Sequence, residues 1–183
     1  NELGYRDAQI LSDSVVSHDD KTVDIYLNME EGERYYLRHV TWVGNTVYPA
    51  DKLNEALQMK RGDVYNQKKM GERLNSDEDA IQSQYYNNGY VFLRLDPVEV
   101  NVDGDSIDVE MRLNEGRQAT INRVRIAGND RLYEEVIRRE LRTKPGDLFS
   151  KAAIERSYRD IAQMGHFNPE TINPDIKPDE ETG

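Results

Sequence analysis

The chain has 183 residues, of which 37% are hydrophobic and 32% are charged, a composition that favours several small cores over one large core. Its formal net charge of −11 argues against nucleic acid or an anionic lipid surface as the main partner. The absence of cysteine excludes disulfides, thiol catalysis and cysteine-ligated metals, and no apolar run of about 18 residues is present that could cross a bilayer as a helix.

The sequence repeats itself at an offset of 84 residues. We therefore predict three copies of one unit: unit 1 (1–33) is the end of a copy, unit 2 (34–117) is complete, and unit 3 (118–183) lacks its final strand. Three pairs of segments share the offset: Gly44-Asn45 with Gly128-Asn129, Gly62-Asp63 with Gly146-Asp147, and residues 23–32 with 107–116.

Arg61-Gly62-Asp63 spells a tripeptide that cell-adhesion receptors read. Unit 3 has Pro145 in place of Arg61, so the repeat preserves Gly-Asp-x-aromatic and not the adhesive tripeptide. A glycine followed by Asp supplies a left-handed backbone position and then a capping oxygen. We predict a structural turn here.

Unit 2 predicts the order strand–helix–helix–strand–strand. Tyr36, Val40 and Trp42 are expected on one face of the first strand. The predicted elements are a strand over 35–45, a helix over 49–59, a longer helix over 67–87, a strand over 90–100 and an alternating strand over 106–114; unit 3 repeats the second helix over 151–164.

This order predicts an α+β fold in which two helices cover one face of a three-stranded mixed sheet. The last two strands form an antiparallel hairpin, and the helical crossover favours parallel pairing of the first strand. Pro97 cannot donate to a ladder, so its strand belongs at an edge and the 106–114 strand belongs in the middle. Each unit then offers an unpaired edge to an extended peptide.

No catalytic, cofactor or metal site is expected. The three histidines lie in different elements without a paired carboxylate or hydroxyl at motif spacing, and the acidic turn at 101–105 fails the EF-hand pattern. The acidic stretch at 72–79 is interpreted as a solvated helix surface.

Residues 117–151 form a basic island with nine Lys and Arg against five Asp and Glu. Three interpretations remain open: a surface matched to a helix dipole, a docking site for an acidic accessory lipoprotein, or a surface close to lipid headgroups. The candidate basic surface comprises Arg123, Arg125, Arg138, Arg139 and Arg142.

Taken together, the ordered motifs resemble POTRA (polypeptide-transport-associated) domains, in particular those of the periplasmic arm of BamA-type outer-membrane β-barrel assembly proteins. The resemblance covers essentially the whole chain, and unit 3 resembles the last such domain before a membrane barrel. The matching residues are Gly44-Asn45, Gly62-Asp63-Val64-Tyr65, Asn88-Gly89-Tyr90, Asn114-Glu115-Gly116, Gly128-Asn129, Gly146-Asp147-Leu148-Phe149 and Gly165-His166-Phe167.

The resemblance implies tandem POTRA domains on the periplasmic side of the outer membrane, anchored by a C-terminal β-barrel of the same parent chain. The implied partners are unfolded β-barrel precursors and accessory outer-membrane lipoproteins. Precursors are expected to pair with the edge strand at Val91, Phe92, Leu93, Arg94 and Leu95.

Three alternatives are weighed against this function. The nearest is the POTRA arm of a two-partner secretion pore or a related exporter. A cell-division or envelope scaffold with a single POTRA domain is disfavoured by the tandem units, and an enzyme is disfavoured because no constellation of ionisable groups is found.

Overall fold

A computed structural model describes residues 2–18, 22–130 and 132–177 of the chain. Its elements follow the predicted order, and the named ones are β1 (Gln9–Ser17), β2 (Val23–Glu30), β3 (Tyr36–Val43), α1 (Ala50–Leu57), α2 (Gln67–Gly71), a π-helical turn (Glu72–Ser76), α3 (Ile81–Asn87), β4 (Arg94–Asp103), β5 (Ser106–Asn114), α4 (Glu134–Glu140), α5 (Lys151–Gln163) and a 3-10 turn (Pro169–Thr171).

Unit 2 contains a three-stranded mixed sheet in the order β3-β5-β4. Strand β3 runs parallel to β5 and β4 runs antiparallel to it. The predicted α+β class, the central position of the last strand and the edge position of the strand bearing Pro97 are therefore confirmed.

The core of unit 2 lies between this sheet and its helices. Alternate residues of β5 point into it, and Ile107, Val109 and Met111 are at most 1% exposed. Leu57 of α1 and Ile81 of α3 are fully buried against them. Burying an aliphatic side chain of this size contributes about 1.5–3 kcal/mol, so the strict alternation of β5 decides which face the helices cover.

A β-bulge in β3 corrects the predicted face of that strand. The pairing with β5 shifts between Leu37 and His39, so the alternation changes phase at the bulge. Leu37, before the bulge in sequence, is buried in the core, whereas Val40 and Trp42, after the bulge, pack against the core. Tyr36 was therefore wrongly predicted to share a face with Val40 and Trp42.

The long helix predicted over 67–87 continues from α2 into the π-helical turn and breaks at residues 77–80, next to the inward side chain of Arg73. Its guanidinium donates to the carbonyl oxygen of Ala56 at the end of α1 and bonds to Asp77 and Asp79. Asp77 ends the π-helical turn in an extended conformation. The acidic stretch is therefore not merely a solvated helix face, since two of its carboxylates hold a buried arginine.

Unit 3 has helices α4 and α5 but no sheet among its described residues. In unit 2 the first strand is hydrogen-bonded only to β5 within the sheet. The equivalent of β5 would lie 84 residues further on, past residue 183. No strand is assigned over residues 121–127, and Ile121 instead exchanges backbone hydrogen bonds with Gly146 and Asp147. Residues 178–183 of the predicted unit lie outside the described part.

The β1–β2 hairpin of unit 1 has an apolar face with no helix against it in the part of the chain that the structure describes. Ile25, Leu27 and Met29 alternate along β2 and are each more than half exposed. Within the described ranges, no helix is both long enough and apolar enough to span a bilayer.

Candidate peptide-binding edges and basic surface

Pro97 leaves a gap in the outer edge of β4. The proline lies opposite Met111 of β5 and has no N–H, so the two residues form a pair that exchanges no hydrogen bonds. By alternation, the amides of Leu95 and Glu99 also point outward, whereas those of Asp96 and Val98 point to β5. Of the three outward-facing positions 95, 97 and 99, the middle one therefore has no hydrogen-bond donor.

The Glu99 side chain on this edge is already engaged. Its carboxylate accepts a hydrogen bond from the Tyr65 hydroxyl at 2.7 Å and pairs with Arg6 of unit 1 at 2.9 Å. Burial of the Tyr65 phenol and its bond to Glu99 raise the pKa of Tyr65 to about 12, so the phenol remains a donor over the physiological range. Glu99 is half-buried by these contacts.

The structure divides the predicted edge residues between a turn and a strand. Strand β4 begins at Arg94 rather than at residue 90. Val91 and Phe92 lie in a turn that Gly89 and Tyr90 close, with the Leu93 amide donating to the Tyr90 carbonyl. This turn lets the chain reverse out of α3.

Only two of these five residues lie on the strand. Leu93 is buried in the core, and the Phe92 ring lies beneath the guanidinium of Arg117, 5.8 Å from the ring centroid. Arg94 and Leu95 are the first residues of β4, and of the two only Leu95 directs its amide outward. Peptide pairing by this segment stays a prediction, restricted to its last two residues.

The outer edge of β1 is the more complete candidate. The His18 amide donates to the Thr22 carbonyl at 3.1 Å, which identifies a hydrogen-bonded pair next to the hairpin turn. Alternation from this pair directs the amides of Asp13 and Val15 outward. Strand β1 contains no proline, and within the described residues its sheet contains only β1 and β2.

Asp13 occupies in β1 the position of Pro97 in β4. The two residues are separated by the repeat offset of 84, and their partners Leu27 and Met111 are separated by the same offset. Asp13 was not among the predicted edge residues, although aligning the copies at Pro97 locates it.

The outer edge of β3 is partly occupied by the Gly-Asp turn. The Leu37 amide donates to the Asp63 carbonyl, and the Gly62 amide donates back to the Leu37 carbonyl. The Asp63 carboxylate accepts from the Lys60 amide at 2.8 Å. Gly62-Asp63 therefore forms a turn that covers the start of β3, which supports a structural function for this tripeptide.

Arg138 of α4 links this helix to the segment that carries Arg123 and Arg125. Its guanidinium donates to the Val124 carbonyl at 3.2 Å and pairs with Glu134 one helical turn away. Arg123 and Arg125 flank Val124 and are exposed, as is Arg139 on α4. Arg142 pairs with Asp160 of α5 at 2.9 Å. Arg138 and Arg142 are thus exposed but paired with carboxylates, whereas Arg123, Arg125 and Arg139 form no ion pair with the described residues.

No cluster of His, Asp and Glu in the described ranges is arranged to hold a metal ion. His39 lies 3.0 Å from Asp108 on the open face of the sheet, and Asp108 also binds Arg38. The Arg38 guanidinium, aided by the His39 and Asn101 side chains, lowers the pKa of Asp108. An anionic carboxylate held by an arginine on the open face of the central strand is a structural ion pair.

Comparison with known proteins identifies the repeating unit. The family model named POTRA, described as "Surface antigen variable number repeat", matches residues 35–116 and 119–183. A solved structure of BamA POTRA3-5 from Haemophilus influenzae has the same fold, with a TM-score of 0.78 at 23% identity over 100% of this chain and 70% of that one.

Curated relatives are outer-membrane assembly factors. A putative outer membrane protein assembly factor of Treponema pallidum (strain Nichols) is 29% identical over 98% of this chain and 22% of its own length. Outer membrane protein assembly factor BamA of Neisseria meningitidis serogroup B is 28% identical over 90% of this chain and 21% of its own length. The chain thus spans about a fifth of the length of these relatives.

Proposed function

Because this chain belongs to the POTRA family, we propose that it is part of the periplasmic arm of an outer-membrane protein assembly machine. In this proposal the arm is a non-enzymatic scaffold that receives unfolded β-barrel precursors and docks accessory lipoproteins. A β-barrel of the same parent chain anchors the arm at the periplasmic side of the outer membrane. The names of the curated relatives favour assembly over the export alternative.

The observation that carries the proposal is the outer edge of β1. Asp13 and Val15 direct backbone amides away from β2, and none of the described residues outside the hairpin forms a ladder with β1. An extended peptide can add a strand there through main-chain hydrogen bonds alone, so recognition tolerates many sequences. The alternating strands of β-barrel proteins are substrates of this kind.

The β4 edge contributes less in this proposal. Pro97 removes one outward donor, and a net hydrogen bond is worth about 0.5–1.5 kcal/mol. A peptide on β4 therefore binds about two- to tenfold more weakly than on a complete edge of equal length. Both edges are individually weak, and avidity comes from several units on one arm.

A reciprocal exchange tests the proposal. Asp13→Pro removes the outward donor from β1, and Pro97→Asp restores one to β4. Binding of a fluorescent peptide with alternating apolar and polar residues is followed by anisotropy. We expect Asp13→Pro to weaken binding about two- to tenfold and Pro97→Asp to strengthen it.

Two controls separate backbone pairing from other effects. Asp13→Asn removes the same charge but keeps the amide, so it should leave affinity unchanged. A peptide N-methylated at alternate residues has the same side chains and cannot form a complete ladder, so it should fail to bind. Equal effects of Asp13→Pro and Asp13→Asn would contradict edge pairing.

The basic surface is proposed to dock an acidic accessory lipoprotein. The exposed charges of Arg123, Arg125 and Arg139 support this proposal. They lie on unit 3, whereas the chain as a whole carries a net charge of −11. Complementary charge speeds encounter and selects partners more than it adds affinity, so this contact should weaken with rising salt.

A further inference from the structure

Two junctions between successive units are built in the same way. At the first, the Tyr35 amide donates to the Gly4 carbonyl at 2.9 Å. Gly4 has a φ of +86°, and a β-carbon added there would stand 2.6 Å from Val64 Cγ1 and 3.1 Å from the Tyr35 carbonyl oxygen. The backbone of unit 1 is therefore in close contact with unit 2 at a position that only glycine fits.

The second junction repeats every one of these contacts. The Ala119 amide donates to the Gly89 carbonyl at 2.8 Å. Gly89 has a φ of +83°, and an added β-carbon would stand 2.7 Å from Leu148 Cδ1 and 3.2 Å from the Ala119 carbonyl oxygen. The residues of unit 3 that form the junction, Ala119 and Leu148, lie 84 residues after Tyr35 and Val64.

A second contact accompanies each glycine. At the first junction, the carboxylate of Glu2 pairs with the ammonium of Lys68 at the start of α2. At the second, the side chain of Asn87 accepts a hydrogen bond at 2.8 Å from the Ala152 amide at the start of α5. In both cases a residue two places before the glycine binds the start of the next unit's second helix.

We infer that the third residue of the Gly-Asp-x-aromatic motif is an inter-unit contact residue. Val64 packs on Gly4 of unit 1, Leu148 packs on Gly89 just after α3 of unit 2, and this contact sets the angle between the two units. The motif therefore carries two functions: the Gly-Asp turn covers its own first strand, and the aliphatic side chain after it holds the neighbouring unit. The inference is independent of what the edges bind.

The two units are held at each junction by directional hydrogen bonds and by the lack of space around the glycine. At each junction a backbone hydrogen bond, an aliphatic contact at the same glycine and a contact with the start of the next second helix together restrain the orientation of the two units. A β-carbon at Gly89 would overlap Leu148, and φ values near +80° are unfavourable for other residues. We therefore expect each junction to sample only a narrow range of inter-unit angles.

The experiment measures the distance distribution across the second junction by pulsed electron spin resonance. The chain has no cysteine, so Lys52→Cys on α1 and Arg159→Cys on α5, both exposed, give a unique label pair. We expect a narrow distribution in the parent. Gly89→Ala should shift or broaden it, and Leu148→Ala should broaden it without forcing a clash.

Gly165→Ala is the matched control. Gly165 occupies the same place at the end of α5 with a φ of +71°, but among the described residues nothing lies within 4 Å of its added β-carbon. Gly165→Ala should leave the spin-label distance distribution unchanged. Leu148 is 42% exposed, so its truncation should barely lower the melting temperature. A parent distribution as broad as that of Leu148→Ala, or an unshifted Gly89→Ala, would overturn the inference.

Discussion

Tyr85 donates its hydroxyl hydrogen to Glu115 Oε1 over 2.7 Å in the interior of unit 2. The same carboxylate accepts from the amides of Thr46 and Val47 at 2.9 and 3.1 Å. Glu115 thus ties the loop after β3 to helix α3 from the far end of the unit. Its burial opposes ionisation, but the bonds from Thr46, Val47 and Tyr85 outweigh this and lower the pKa of Glu115.

Glu115→Gln should destabilise unit 2 by about 1–3 kcal/mol near neutral pH, because an amide cannot accept from all of these donors. The pKa of the folded carboxyl lies below the unfolded value, so the parent gains this stability above the unfolded pKa and loses it as pH falls through the folded pKa. Urea denaturation at about pH 7 and about pH 4 measures both effects.

The difference between parent and Glu115→Gln should therefore shrink in acid. Glu55→Gln, at an exposed position of α1, is the control and should change stability little. A constant difference at the two pH values would show that Glu115 is not the titrating group.

Arg73→Lys should lower the unfolding free energy of unit 2 by about 1–3 kcal/mol. A lysine cannot reproduce the forked donation to the Ala56 carbonyl and to Asp79. Asp79→Asn should cost less than about 1 kcal/mol, because the Asp79 side chain is 67% exposed and water replaces the lost partner. Equal losses in thermal or urea unfolding would mean that the ion pair, not the bond to α1, holds Arg73.

Val98→Pro should destabilise the sheet, whereas the natural Pro97 does not. The Val98 amide points to β5, so proline there removes a ladder bond, at a cost of about 1–3 kcal/mol. Val98→Ala controls for the lost side chain. Urea denaturation of both variants measures their unfolding free energies. Equal values would show that the Val98 amide does not point to β5.

Arg125→Glu should reduce co-purification of outer-membrane lipoproteins with the parent protein, because it reverses an exposed charge in the middle of the basic surface. Arg61→Glu makes the same charge change on an exposed turn of unit 2 and should have no effect. The loss should grow smaller as salt rises and the parent contact itself weakens. Unchanged co-purification would remove the basic surface as the docking site.

The features that the sequence alone determined depend on residues that are close together in the chain. The order of elements follows from periodicity and from the recurrence of the Gly-Asn and Gly-Asp turns. The edge position of β4 follows from Pro97 alone. A proline has no N–H in any fold, so in a central strand it would leave one neighbouring strand without a donor. The alternation of β5 placed Ile107, Val109 and Met111 correctly because a side chain's face on a regular strand depends only on its parity.

The tertiary structure decided what depends on partners far along the chain. The bulge in β3 that buries Leu37 instead of Tyr36 arises from its register with β5, about 70 residues away. The second helix breaks next to Arg73, whose side chain reaches the end of α1. The contact of Gly89 with Leu148 joins two units whose motifs look purely internal to each. Sequence periodicity reports only how neighbouring residues alternate. It therefore cannot reveal contacts between residues that only the folded chain brings together.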